Sequence, residues 1–195
     1  MKKFTVQQLT VDALLAAMCA VLGFVAIDMQ SIKLTFEGFP VIVGALLFGP
    51  LDGALIGFVG TFVYQILRFG WDATTLLWVA PYVISGLFLG LVAKHYKFDM
   101  SKKQVLFWVI LNELLTCGMN TVGIYIGSHI QGWYHPGVVL GMLLPRIGIA
   151  LAKGVAYGVI LPLLLDPLRK LVRQQEGKRR KSVAVHTNPS VSSKS

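Results

Sequence analysis

Long, predominantly apolar segments decide what this chain can fold into. They cover residues 6–27, 39–48, 51–67, 75–93, 105–126 and 137–165. Several exceed the roughly 18 apolar residues that suggest a bilayer span. They are continuous runs, unlike the short alternating segments of a membrane β-barrel. In lipid, a helix satisfies every backbone N–H and C=O within its own segment. The sequence therefore predicts an all-α integral membrane protein with six transmembrane helices in one domain, residues 1–173. The second segment is too short for a straight crossing and ends at Gly49-Pro50. Pro81 predicts a kink in the fourth. The sixth is expected to bend near Pro145 and stop near Pro162 to Pro167. Residues 174–195 are polar and basic, then rich in Ser and Val, which predicts a disordered cytoplasmic tail. No internal repeat is visible. The first segment is too long, and lacks a small-residue cleavage site, to read as a removable signal peptide.

Charge sets the expected orientation. The net charge is +9. With six spans, Lys2, Lys3, Lys94, Lys97, Lys102, Lys103, Arg169, Lys170, Arg173 and the Lys178–Lys181 run fall on one side, leaving Lys33 and Arg68 on the other. Short loops rich in Lys and Arg stay inside, so a cell-membrane protein with both termini cytoplasmic is expected. Connections 28–38, 68–74 and 128–136 then face outward. This distribution needs no nucleic acid as partner. The 178–181 run either touches anionic lipid or is solvated.

Ionisable groups within spans are costly and mark candidate sites. Glu113 and Asn120 are seven apart in span five, and Arg146 and Lys153 are seven apart in span six. Each pair shares a helix face. Since the two spans are antiparallel neighbours, Glu113 is expected to meet Lys153 near the midplane as a structural ion pair. Arg146 is then an unpaired cation in the outer half. Either it binds a ligand carboxylate or it caps backbone carbonyls at the Pro145 bend. Gln65, Trp78 and Asn120 lie deeper than an interfacial aromatic belt requires and suggest a small-molecule pocket, with Tyr125 at the end of span five. Trp71, Trp133 and Tyr134 read as the belt. Cys19 and Cys117 read as apolar filler, and His129 and His135 as surface residues, so no metal site is expected.

Two strips of small residues suggest close helix packing. One is Ala13, Ala16, Ala17 and Ala20 in span one; the other is Gly53, Gly57 and Gly60 in span three. In lipid, such strips bring backbones close enough for van der Waals association. The alanine partner is either internal or a separate subunit. No Walker A loop, serine nucleophile elbow, His-Glu-x-x-His or paired acids appear, so no catalytic residue is assigned.

These features resemble the substrate-binding S components of energy-coupling factor (ECF) vitamin transporters, over about residues 5–172. The resemblance rests on the alanine strip and on Lys33-Leu-Thr-Phe-Glu-Gly-Phe-Pro40. It rests also on Leu47-Phe-Gly-Pro50, on Asn120-Thr-x-x-x-Tyr125, and on Pro145-Arg146 with Lys153. Their order is similar to the folate and pantothenate branch. It implies a six-helix binding subunit that captures a water-soluble vitamin from outside, with no catalysis and no cofactor of its own. Its partners would be an EcfT-like transmembrane coupling subunit and two cytoplasmic ATPases. The alanine strip would dock the coupling subunit. The connection carrying Lys33 and Phe36 would act as a lid and join the binding set of Arg146, Asn120, Gln65, Trp78 and Tyr125. Folate-specific members carry an acidic residue and a Phe-Thr-Leu element after span three, where this chain reads Tyr64-Gln65-Ile-Leu-Arg68-Phe-Gly-Trp71. Pantothenate therefore ranks first, folate second and cobalamin third. Two readings of other classes are a membrane enzyme using Glu113 and Lys153 as acid and base, and an assembly subunit without a ligand.

Overall fold

The structure, a computed structural model, describes residues 6–25, 27–29, 32–132 and 134–187, with 7, 27–29, 32–34, 138, 139, 166 and 169–187 described by backbone alone. Its elements are α1 (Val6–Phe24), β1 (Ile27–Met29), β2 (Ile32–Leu34), α2 (Gly38–Phe48), α3 (Pro50–Phe69), α4 (Thr75–His95), α5 (Lys102–Ile130) and α6 (Pro136–Thr187). Six helices form one bundle. Among the described residues, four stretches are long and apolar enough to cross a membrane: Pro50–Phe69, Thr75–His95, Lys102–Ile130 and Leu140–Leu165. The described apolar stretches of the other two helices, Gln8–Phe24 and Gly38–Phe48, are shorter.

Helix α2 is the centre. It is apolar on every side, the mark of a helix buried on every side. Gly38 and all residues from Pro40 to Leu46 are buried, and α2 packs against α1, α3, α4 and α6. Ile42, Leu46, Leu89, Ala93, Val105, Val109, Leu161 and Leu165 form the main core around it. The chain leaves α2 through Gly49, whose φ of 115° is open to glycine and strained for other residues. Pro50 then opens α3 in the first turn, where its missing N–H costs no hydrogen bond.

Helix backbones meet at glycines. A Cβ on Gly53 would lie 2.6 Å from the Ala45 Cβ, and one on Gly57 would lie 2.6 Å from the Tyr82 carbonyl oxygen. Gly86 rests directly on the Gly53 backbone, and Gly90 on Pro50. Gly60 takes Cys19, with a Cβ-to-Sγ approach of 2.7 Å. The α5–α6 seam repeats this at Gly154, against the Ile110 backbone at 2.9 Å, and at Gly158, against Leu106.

That seam also holds the buried ion pair. Lys153 Nζ lies 3.1 Å from Glu113 Oε2, with both side chains largely covered. The Glu113 carboxylate faces Gly38, the first residue of α2: a Cβ there would be 3.6 Å from Glu113 Oε1. The positive end of the α2 dipole thus adds to Lys153 in stabilising the anion. On α4, Ser85 Oγ accepts from Asn112 Nδ2 at 2.8 Å.

Three expectations change. The connection after α1 contains an antiparallel strand pair, with Ile27 opposite Leu34 and Met29 opposite Ile32. The β-branched residues there favour extended backbone. Second, α6 runs through Pro145, Pro162 and Pro167 to Thr187. Within lipid, a helix that loses one bond at a proline still costs less than exposed backbone. Third, helix continues past Gln174, where disorder was expected, through a stretch rich in the good helix formers Lys, Arg and Gln. Residues 188–195 lie outside the described residues.

Replacing Gly86 with Leu should prevent close α3–α4 packing and abolish the folded monomer in size-exclusion chromatography, whereas Gly118→Leu, at a site with no neighbour within 4 Å, should not. Glu113→Gln leaves Lys153 buried and uncompensated; it should destabilise the fold by about 3–5 kcal/mol, read as a lowered Tm.

Candidate binding pocket

The connections α1–α2, α3–α4 and α5–α6 meet at one end of the bundle, where they and four helices enclose a cavity of about 540 Å³. Thr35 and Glu37 come from the first connection, Asp72 and Thr74 from the second, and Gln131 follows α5. Tyr64, Gln65 and Phe69 belong to α3, Thr75, Trp78 and Tyr82 to α4, Asn120 and Ile124 to α5, and Arg146 to α6.

The buried wall is a carboxylate knot. Glu37 Oε1 accepts hydrogen bonds from Thr35 Oγ1 at 3.0 Å and from the Tyr82 hydroxyl. The two hydroxyl oxygens are 3.4 Å apart. This ties the segment preceding α2 to α4. Glu37 is 4% exposed, and each hydrogen bond offsets part of the cost of burying its charge.

The rim is organised by Asp72. Its Oδ1 accepts from the Ala73 N–H and its Oδ2 from Thr74 Oγ1, each at 2.7 Å. Its own N–H donates to Thr75 Oγ1 at 3.0 Å, which fixes the entry into α4. Gln131 Nε2 donates to Asp72 Oδ2 at 3.3 Å, joining two connections across the mouth. The Thr74 hydroxyl and then the Ala73 N–H favour the ionised form and hold the Asp72 carboxyl below its ordinary range.

Arg146 is half-buried and has no ion-pair partner among the described residues. The same lining offers the neutral amides of Asn120 and Gln65 and the indole of Trp78, besides the hydrogen-bonded carboxylates of Glu37 and Asp72. The arrangement suits a small anion with further hydrogen-bonding groups.

Of the residues singled out in the sequence, Arg146, Asn120, Gln65 and Trp78 line the cavity, and Tyr125 and Phe36 are not among its described walls. Tyr125 is five residues from Asn120, about 140° around the helix at 100° per residue. It is half exposed, and its ring packs at a tilt on His129 at 4.6 Å and edge-on against Tyr134 at 5.4 Å between centroids. Phe36 lies between Thr35 and Glu37 at the turn into α2, where the Phe39 N–H donates to the Phe36 carbonyl at 3.1 Å. Its neighbours take the cavity, and it packs on the core. The Lys33 side chain lies outside the described residues, as does Trp133. Glu113 and Lys153 do not line the cavity. On α1, Ala16 and Ala20 are buried inside the bundle, while Ala13 and Ala17 face outward.

Sequence reasoning missed Glu37, Thr35, Tyr82, Asp72 and Gln131 as wall residues. Tyr82 was findable: it follows Trp78 by four residues, hence shares its face. The others sit in connections, whose side-chain directions no helical period reveals.

The sequence model for "ECF transporter, substrate-specific component" matches residues 7–167. No curated protein sequence matches the chain. Among solved structures, the S component of a bacterial ECF transporter aligns at a TM-score of 0.60 with 19% identity, over 85% of this chain and 97% of that one. The S component for biotin from an ECF-type ABC transporter aligns at 0.62 with 15% identity, over 83% and 92%. FolT bound with folic acid aligns at 0.57 with 17% identity, over 83% and 96%. At these identities the structures speak for the shared fold. A six-helix bundle built on a short buried helix, a walled cavity at one end and a family match across most of its length together establish that this chain belongs to the substrate-specific components of ECF transporters, which are transport subunits and not enzymes.

Proposed function

We propose that this subunit captures a water-soluble carboxylate vitamin, pantothenate in the first place, and that the cavity is its binding site. The observation that carries the reading is Arg146. A guanidinium in a half-buried cavity, with no carboxylate paired to it among the described residues, is suited to an anionic ligand. Asn120 and Gln65 in the same lining match the amide and hydroxyl groups of a short polar acid. Tyr64 and Tyr82 are 1% and 7% exposed, so little of their ring faces is free for stacking. That supports a small acid over a large flat one. Folate is the second reading, favoured by the cavity's size and by Trp78 and Phe69 in its lining.

In this reading the cavity mouth faces outward and both termini are cytoplasmic, in agreement with the Lys and Arg distribution. A transmembrane coupling subunit and two ATPases energise uptake. The outward face of α1, with Ala13, Ala17, Leu14 and Met18 exposed, is the surface offered to the coupling subunit. Ala16 and Ala20 support that face from beneath by letting α1 lie close on α3.

A thermal-shift screen against the B vitamins tests the ligand. Pantothenate at a hundred times its Kd should stabilise the purified protein by about 2.7 kcal/mol, and Arg146→Met should weaken binding by about 2–5 kcal/mol. A shift with folate alone would replace the ligand, and no shift with any vitamin would end the reading. For docking, Ala17→Trp should block uptake in vesicles containing the whole transporter and leave vitamin binding intact. Uptake at the wild-type rate would remove this face from the interface.

A further inference from the structure

The two ends of the membrane-spanning part of α6 are built differently. From Ala150 onward each turn is anchored: Ala150, Gly154, Tyr157, Gly158, Leu161 and Leu165 are buried. Between Pro136 and Ile149 no described residue is buried. Leu140 is 68% and Leu144 80% exposed. A Cβ at Gly137, Gly141 or Gly148 would meet no atom within 4 Å, whereas Gly154 and Gly158 press on α5. The outer segment is also weak in itself. Each glycine raises the conformational entropy lost on forming helix. Pro145 has no N–H, so the Gly141 carbonyl lacks its helical donor. A segment with little packing, poor propensity and a missing bond opens at low free-energy cost. Yet this segment carries Arg146 into the cavity.

We propose that Pro136–Ile147 is a hinged wall of the pocket, pivoting at Gly148 and carrying Arg146 onto the ligand carboxylate. The inference rests on the reading of the cavity as a carboxylate-vitamin site. The anchored half from Ala150, locked by Gly154, Gly158 and the Glu113–Lys153 pair, stays fixed while the outer third moves. Anion binding then favours the closed wall, because the guanidinium meets its partner only there.

Hydrogen exchange on the purified full chain, with and without pantothenate and then folate, tests this. Without vitamin, amides of 136–147 should exchange at least about tenfold faster than those of 150–161. Gly141→Ala with Gly148→Ala fits the open space at both positions and should slow that exchange by about 10- to 30-fold, with residues 150–161 unchanged. The bound vitamin should protect 136–147 selectively, and the double variant should bind it more slowly. Equal exchange along both halves of the ligand-free helix would overturn the hinge. So would a double variant that exchanges like the wild type, or a vitamin that raises the Tm without protecting 136–147. If ligand-free opening occurs but no vitamin raises the Tm, the hinge stands as a moving wall and the vitamin reading falls.

Discussion

Close contact between helix backbones is the constraint on which this bundle depends. Lipid chains are as apolar as leucine, so hiding apolar surface adds little to helix association in a membrane. What remains is dispersion at short range, which falls off steeply with any gap. Gly53 against Ala45, Gly86 against Gly53, Gly60 against Cys19 and Gly154 against Ile110 bring all six helices into that range. Gly53 against Ala45 is the α2–α3 contact itself, and α1, α3, α4 and α6 all pack on α2, so the helix least able to span a bilayer is enclosed by the others.

Buried charge follows the same logic of mutual enclosure. Glu113 has Lys153 and the start of α2; Glu37 has the hydroxyls of Thr35 and Tyr82. Each carboxylate joins elements distant in sequence, and each sits where a lost partner would leave a charge in a poor solvent. Arg146 differs: among the described residues no carboxylate pairs with it, although it lines the cavity. In the proposed reading the bundle thus separates charges that hold it together from one that meets its ligand.

Much of this was legible in the sequence because lipid enforces simple rules. Apolar length gave the helices, and the brevity of residues 39–48 already marked α2 as different. Spacing by seven put Glu113 with Asn120 and Arg146 with Lys153, and the structure has the first and last of these four 3.1 Å apart. Depth alone was a poorer guide than rotation: Tyr125 lies near the right level but on the wrong side of α5. Connections were hardest to read. The strand pair at 27–34 depends on backbone partners rather than composition, and Thr35, Glu37, Asp72 and Gln131 gain their roles from turns. Proline was misleading in α6, since its stop signal presumes water to take up the freed carbonyl, and lipid supplies none.

The brevity of α2 has a consequence for where cargo can sit. Eleven residues rise about 16 Å, roughly half of a hydrocarbon core about 30 Å thick. Its neighbours continue upward past its first residue, and Glu37, immediately before that residue, is part of the cavity wall. The ligand space therefore begins where α2 begins. The cavity is the unfilled remainder of a truncated column: depth that a full-length sixth helix would have occupied with its own side chains is left open, and it is there that the proposed reading seats the vitamin.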